Sequence, residues 1–130
     1  MTNYSTYVDW RRTFHQYPEL SDEEYETTEM LRKILKSYGI RILEVPLKTG
    51  LVAEIGQGEE MIAVRTDIDA LPIEEQVKHE FTSKYQGAMH ACGHDIHMAS
   101  ILATGIQLKE IEDELNGRVR LIFQPAEELG

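Results

Sequence analysis

Residues 90–97 carry three histidines, the only cysteine of the chain and an aspartate, in the order His-Ala-Cys-Gly-His-Asp-Ile-His. Thiolate and imidazole are ligands that Zn²⁺ and similar metals prefer, and a carboxylate can orient a ligating imidazole. A buried cysteine beside surface histidines is the alternative, but packing alone explains such a cluster poorly. We therefore predict a metal site here, with Cys92 favoured as a thiolate by the dipole of the helix that follows.

A pair of aspartates follows a predicted strand at residues 61–64. Asp67 and Asp69 are separated by one residue, so both carboxylates can point the same way from an extended segment. Ligands of open α/β sheets bind beyond the carboxyl ends of the strands, which places this pair near a binding site. Two turn-forming aspartates are the alternative at these positions.

A pair of glutamates ends the predicted strand at residues 118–123, in the segment Gln-Pro-Ala-Glu-Glu. Adjacent glutamates usually form a solvated surface pair. Here the strand end would place them beside the other two motifs. Because neighbouring residues of an extended chain point in opposite directions, Glu127 and Glu128 can do different work, one as a metal ligand and the other as a proton acceptor.

A cysteine nucleophile is the competing chemistry. Cys92 and His94 could form a thiolate–imidazole couple, but a separation of two residues leaves little freedom for the required geometry, and the acidic pairs stay unexplained. The sequence also lacks a phosphate-binding glycine-rich loop and a G-x-S-x-G motif. Metal-dependent hydrolysis is the better interpretation.

Hydrophobic periodicity predicts the elements that position these motifs. Helices are predicted at 4–17, from a capping box at Ser21–Glu24 to Gly39, and at 96–111. Strands are predicted at 41–45, 51–55, 61–64 and 118–123, with a hairpin connection at 57–59. The strand at 61–64 is apolar throughout, as in a central strand, and 67–89 is a long loop. The third helix would cross over between the last two strands, giving an α/β fold with a central mixed sheet and helices on both faces.

Composition limits the classes of partner. The chain has 130 residues, with 23 acidic and 13 basic side chains and a formal net charge of −10. This balance disfavours binding to nucleic acid or to anionic membranes. The first ten residues lack the apolar region of a signal peptide, and a single cysteine allows no internal disulfide. We expect a cytoplasmic protein.

Four segments, at 11–20, 65–73, 89–97 and 123–128, resemble in order the M20 metallopeptidase family. They are most similar to its amidohydrolase branch, which includes aminoacylase-like enzymes, hippurate hydrolases, N-acetyl-diaminopimelate deacetylases and plant auxin-conjugate hydrolases. The resemblance implies a zinc-peptidase-like catalytic domain. It also implies hydrolysis of an N-acyl amide bond on an amino acid or short peptide, by metal-activated water.

The resemblance assigns roles to individual residues. Cys92, His94 and Glu128 would be ligands of a two-metal centre containing Zn²⁺, Mn²⁺, Co²⁺ or Ni²⁺. Glu127 would be the general base, and Asp67 and Asp69 would support the ligands. Family members are longer, with a smaller dimerisation or lid domain and two further histidine ligands that would follow Gly130.

On this basis, residues 1–130 form part of a catalytic domain that is incomplete alone, within a protein expected to be a homo-oligomer. We also expect an exposed apolar strand edge that promotes self-association. A non-catalytic metal-binding or assembly module with a vestigial site is the alternative, although such a module would have no need of Glu127. His15, His79 and His90 receive no role.

Overall fold

Four short segments of alternating or continuous apolar residues form one mixed sheet. In the computed structural model, which describes residues 2–130, the strands are β1 (Arg41–Leu43), β2 (Leu51–Gly56), β3 (Met61–Asp67) and β4 (Arg118–Gln124). Their order in the sheet is β1-β2-β4-β3. The first two pairings are antiparallel, and β3 and β4 are parallel. The predicted α/β class and mixed sheet are confirmed.

Three α-helices accompany the sheet: α1 (Tyr4–Gln16), α2 (Tyr25–Ser37) and α3 (His94–Glu110). The α3 helix connects β3 to β4, as expected for two parallel neighbours. A single turn of 3₁₀-helix at Glu127–Leu129 follows β4. None of the helices described is both long and apolar enough to span a bilayer.

One hydrophobic core lies between the sheet and the helices. The register pairs buried residues of β2 with buried residues of β4, so that both sets lie on one face: Leu51 with Phe123, Ala53 with Leu121 and Ile55 with Val119. Side chains from all three helices join the same cluster. Gly105 of α3 permits close packing, because a Cβ there would lie 2.7 Å from Leu121 Cδ1. The described helices therefore cover one face, and a helical layer on the other stays a prediction.

The predicted position of the strand at 61–64 in the sheet is wrong for the described chain. β3 lies at the edge of the sheet, and its first three residues are exposed. The exposed fraction of Ile62, for example, is 66%. The hairpin predicted at 57–59 is also wrong, because β4 lies between β2 and β3. Parallel pairing of β3 with β4 is a long-range contact that local turn residues cannot reveal.

The start of α2 also differs from the predicted capping box. The carboxylate of Glu19, outside the box, accepts hydrogen bonds from the backbone N–H groups of Glu26 at 3.2 Å and Thr27 at 2.6 Å. Ser21 instead donates its hydroxyl to Asp69 Oδ2 at 2.7 Å. Thus the polar residues before α2 contact the segment after β3. The predicted helix end at Gly39 is confirmed by its left-handed backbone.

A fully buried carboxylate fixes the turn after β4. Glu24 accepts hydrogen bonds from the Ala126 backbone N–H at 2.7 Å and the Thr49 hydroxyl at 3.1 Å. Burial raises the pKa of Glu24, although these hydrogen bonds oppose the change. Ala126 has a left-handed backbone, with φ of 55°, which is unfavourable for a residue with a Cβ. Glu24 therefore stabilises the strained residue that directly precedes Glu127.

Replacing Glu24 tests this contribution. We expect Glu24→Met to lower the free energy of unfolding by about 1–3 kcal/mol, because the partly buried Ala126 N–H loses its acceptor. Glu24→Gln should cost less, since an amide oxygen can accept from Ala126 while the amide N–H donates to Thr49. Chemical denaturation of both variants measures the difference. Equal losses would show that hydrogen bonding to Ala126 is not the source of stability.

The exposed edge of β3 generates a second prediction. We expect the 130-residue chain to self-associate, and Ile62→Lys to reduce that association by placing a charge on the edge strand. Val77→Lys is the matched control, because Val77 is 67% exposed but lies in a loop. Sedimentation velocity over a range of concentrations distinguishes the two variants. A wild-type chain that stays monomeric throughout would contradict the expectation.

Candidate metal centre

The parallel pairing of β3 and β4 places the carboxyl ends of both strands side by side, at the same end of the sheet. Asp67 ends β3 and pairs in register with Gln124, three residues before Glu127. The segment 68–93 then returns to the same end and delivers Cys92 just before α3, which begins at His94. The structure thus brings together all six residues predicted for the site, although their individual roles stay predictions.

His94 lies at the centre of the cluster. Its Nδ1 is 2.8 Å from the backbone oxygen of Asp69 and donates a hydrogen to it. In the neutral ring this leaves the lone pair on Nε2, which faces Asp67 Oδ2 at 3.9 Å, Glu127 Oε1 at 3.5 Å and Glu128 Oε1 at 3.6 Å. Because the lone pair and the carboxylate oxygens repel each other, this arrangement is favourable only when a cation or a proton lies between them.

Around His94, two groups of three described side chains have ligand atoms close enough to share an ion. Cys92, His94 and Glu128 form one group, and Asp67, His94 and Glu127 form the other, with all ligand atoms of a group within 4.8 Å. Glu128 Oε1 is buried and has no hydrogen-bond partner among the described residues. Sulfur, nitrogen and oxygen donors with an unpaired buried oxygen fit a divalent metal. Asp67 is therefore as well placed to be a ligand as to support one.

The expectation that the helix dipole favours the thiolate form of Cys92 is wrong. The adjacent carboxylate of Glu128 raises the pKa of the thiol most, and partial desolvation and the charges of Glu127 and Asp67 raise it further. Nearby carboxylates outweigh the dipole because they carry full charges. Cys92 is exposed and keeps its proton until a cation compensates that negative charge.

Asp69 forms hydrogen bonds to three segments that meet at the cluster. Its buried carboxylate accepts hydrogen bonds through Oδ2 from the Ser21 hydroxyl at 2.7 Å and from the Glu128 backbone N–H at 2.9 Å. Its backbone oxygen also accepts from His94. Asp69 thereby links the segment after β3, the turn after β4 and the first residue of α3. The role of Asp69 in supporting metal ligands stays a prediction.

The sequence analysis missed three residues near the site. Glu24 and Ser21 were taken as part of a helix cap, and only their long-range contacts show that they position the turn after β4 and Asp69. His90 received no role, yet it is buried with both ring nitrogens unpaired among the described residues. Burial lowers the pKa of His90 to about 4, so this imidazole is neutral. Its place in the segment 90–97 was the one available signal.

Comparison with known proteins identifies the family. Residues 63–130 match the profile of "Peptidase family M20/M25/M40". The chain is 55% identical over 122 residues to an N-acetyl-L-cysteine deacetylase of Bacillus subtilis, covering 92% of this chain and 29% of that protein. It is 44% identical over 124 residues to an N-acyl-L-amino acid amidohydrolase of Geobacillus stearothermophilus, covering 94% and 34%. The chain thus spans about a third of the length of these relatives.

A solved structure shows the same fold. The YXEP protein of Bacillus subtilis, described as a dinuclear metal binding peptidase from the M20 family, superposes with a TM-score of 0.92 at 53% sequence identity. The match covers 95% of this chain and 36% of that one. The family profile, the relatives and the fold all agree with the resemblance of the sequence motifs. The chain belongs to peptidase family M20/M25/M40.

Proposed function

We propose that the protein is a metal-dependent amidohydrolase that removes the acyl group from an N-acyl amino acid or short peptide. One observation supports this most strongly: His94 Nε2 faces carboxylate oxygens of Asp67, Glu127 and Glu128, with the Cys92 thiol alongside. Relatives named as N-acetyl-L-cysteine deacetylase and N-acyl-L-amino acid amidohydrolase support the substrate class. Because the chain spans about a third of their length, it would supply part of a catalytic domain.

Cys92, His94 and Glu128 would hold metal ions in this proposal, within a two-metal centre like the one in the description of the YXEP protein. Bound divalent cations would acidify water and polarise the scissile carbonyl. The mixed donor set accepts Zn²⁺, Mn²⁺, Co²⁺ or Ni²⁺ and does not select one. The remaining ligands would come from other parts of the catalytic domain.

Glu127 is the proposed general base. Its side chain is 36% exposed, more than that of Glu128 at 21%, and one of its oxygens lies 3.5 Å from His94 Nε2. A carboxylate at the open side of the cluster can take a proton from water and return it to the leaving amine nitrogen. Asp69 would keep His94 in the tautomer whose Nε2 is free. A module that only binds metal needs no such base.

Metal binding should depend on pH through Cys92. Because the pKa of this thiol is raised, the group holds its proton near neutral pH and must lose it on binding. We therefore expect Zn²⁺ affinity to rise with pH, by up to about tenfold per pH unit below the pKa of the thiol. Calorimetric titration of Zn²⁺ at several pH values measures the slope. Cys92→Ser should bind more weakly and with a shallower slope, whereas equal slopes would exclude the thiol as a ligand.

The whole protein allows a test of Glu127. We expect Glu127→Gln to lower kcat for N-acetyl-L-cysteine or another N-acetyl amino acid by roughly 10²- to 10⁴-fold, with metal content retained, because proton transfer is lost. Glu114→Gln, at an exposed glutamate in the single 3₁₀ turn Glu112–Glu114, is the matched control. Unchanged kcat in Glu127→Gln would contradict the role of a base. Metal binding without any hydrolysis by the wild-type protein would favour the non-catalytic alternative.

A further inference from the structure

A second cluster of charged and titratable side chains lies behind the candidate metal centre. It joins Arg11 and His15 of α1, Asp95 in the first turn of α3, and Glu75 and His79 in the segment 68–93. His15, Asp95 and the carboxylate of Glu75 are almost fully buried. Burying charged groups costs free energy unless each has a partner of opposite charge or a hydrogen bond. The contacts of these side chains therefore indicate the role of the cluster.

His15 bridges two carboxylates. Its Nδ1 lies 2.8 Å from Asp95 Oδ2, and its Nε2 lies 2.8 Å from Glu75 Oε2. Both contacts are hydrogen bonds only if a proton lies in each gap. Burial works to raise the pKa of Glu75, but hydrogen bonds from His15, the Ser83 backbone and His79 outweigh it and hold that pKa below its ordinary value. Glu75 therefore accepts a hydrogen bond from His15 Nε2.

A metal ion shared by His15, Glu75 and His79 is the competing interpretation, because their ligand atoms lie within 4.8 Å of one another. The hydrogen bonds of His79 oppose it. The Phe81 backbone N–H donates to His79 Nδ1 at 3.2 Å, which places the hydrogen of the neutral ring on Nε2, 3.0 Å from Glu75 Oε2. A ring nitrogen that donates to Glu75 has no lone pair for a metal.

The contacts of the cluster reach both the loop and the first turn of α3. Asp95 is the neighbour of His94, and its Oδ2 also accepts from Arg11 Nε at 2.9 Å. Glu75 Oε1 accepts from the Ser83 backbone N–H at 2.7 Å, so Glu75 holds the middle of the segment 68–93. That segment begins beside Asp67 and ends beside Cys92. Both of its ends therefore lie at the candidate metal centre.

We propose that His15 is a positioning residue, which fastens the middle of the segment 68–93 to the first turn of α3 through Glu75 and Asp95. By this connection, the loop that carries Asp69 and Cys92 keeps a fixed position relative to His94. The proposal rests on the proposed function for its consequence, which is metal affinity, but the fastening itself does not depend on metal. His15 acts through Asp95 and Glu75 and contacts no candidate ligand directly.

Three variants of the 130-residue protein test the proposal. His15→Gln and Glu75→Gln break the connection, whereas His79→Gln removes a donor to the same Glu75 oxygen and leaves the contact between His15 and Asp95 intact. We expect the first two to weaken Zn²⁺ binding by roughly 10- to 100-fold, as for other residues that orient metal ligands, and the control by less than about threefold. Binding is measured at temperatures at which circular dichroism shows each variant to be folded.

Amide hydrogen exchange provides a readout that needs no metal. The backbone pair between Leu71 and Met89, at 2.9 and 3.0 Å, closes the ends of the loop. We expect these two amides to exchange at least about tenfold faster in His15→Gln and Glu75→Gln, and at the wild-type rate in His79→Gln. Should His15→Gln fail to fold, Glu75→Gln carries the same test.

The outcomes separate the two proposals. Unchanged exchange at Leu71 and Met89 in both variants would overturn the fastening, whether or not the protein binds metal. Faster exchange with unchanged Zn²⁺ affinity would show a purely structural role and overturn the positioning of ligands. A wild-type protein that binds no metal would count against the metal centre of this chain, while the exchange rates would still decide the fastening.

Discussion

The parallel pairing of β3 with β4 is the constraint on which the candidate centre depends. Parallel neighbours end at the same edge of a sheet, so this one pairing brings Asp67 to within reach of the glutamates that follow β4. It also requires a long crossover, and α3 is part of that crossover. Since α3 begins with His94, the crossover that connects β3 to β4 also places the imidazole of His94 at the candidate centre.

Electrostatics make this arrangement unfavourable without a cation. Four carboxylates, those of Asp67, Asp69, Glu127 and Glu128, surround one imidazole in a chain whose net charge is already −10. Two like charges about 4 Å apart repel by roughly 4 kcal/mol near a protein surface. The raised pKa of Cys92 has the same origin. The surrounding hydrogen bonds, such as those of Asp69, therefore hold these side chains in positions that their own charges oppose.

The sequence predicted the cluster well because its signals are local. Cys92 and His94 stand in one short segment, and Asp67 and Glu127 each follow an apolar strand, so strand direction alone predicts their approach. The α3 crossover and the end of α2 at Gly39 followed from periodicity and a single glycine. The predictions for α3 and Gly39 needed no knowledge of which strands are neighbours in the sheet.

The errors concern contacts between residues distant in sequence. Ser21 and Glu24 fit a helix cap locally, yet their partners are Asp69 and Ala126. The strand at 61–64 is apolar enough for a central position, but its neighbours depend on where β4 inserts. No local pattern pointed to His15, because its partners are two carboxylates that lie 60 and 80 residues away in the sequence. Local patterns do not contain such partners.

The short bridge between Leu71 and Met89 has a consequence for how such a chain can change over time. It joins the two ends of a surface loop, so the number of residues between Glu75 and Met89 can change without moving those ends. The entropy of a longer flexible loop costs only about 0.6 kcal/mol for each doubling of its length. The loop is thus a place where the length of the chain can change at low cost to stability.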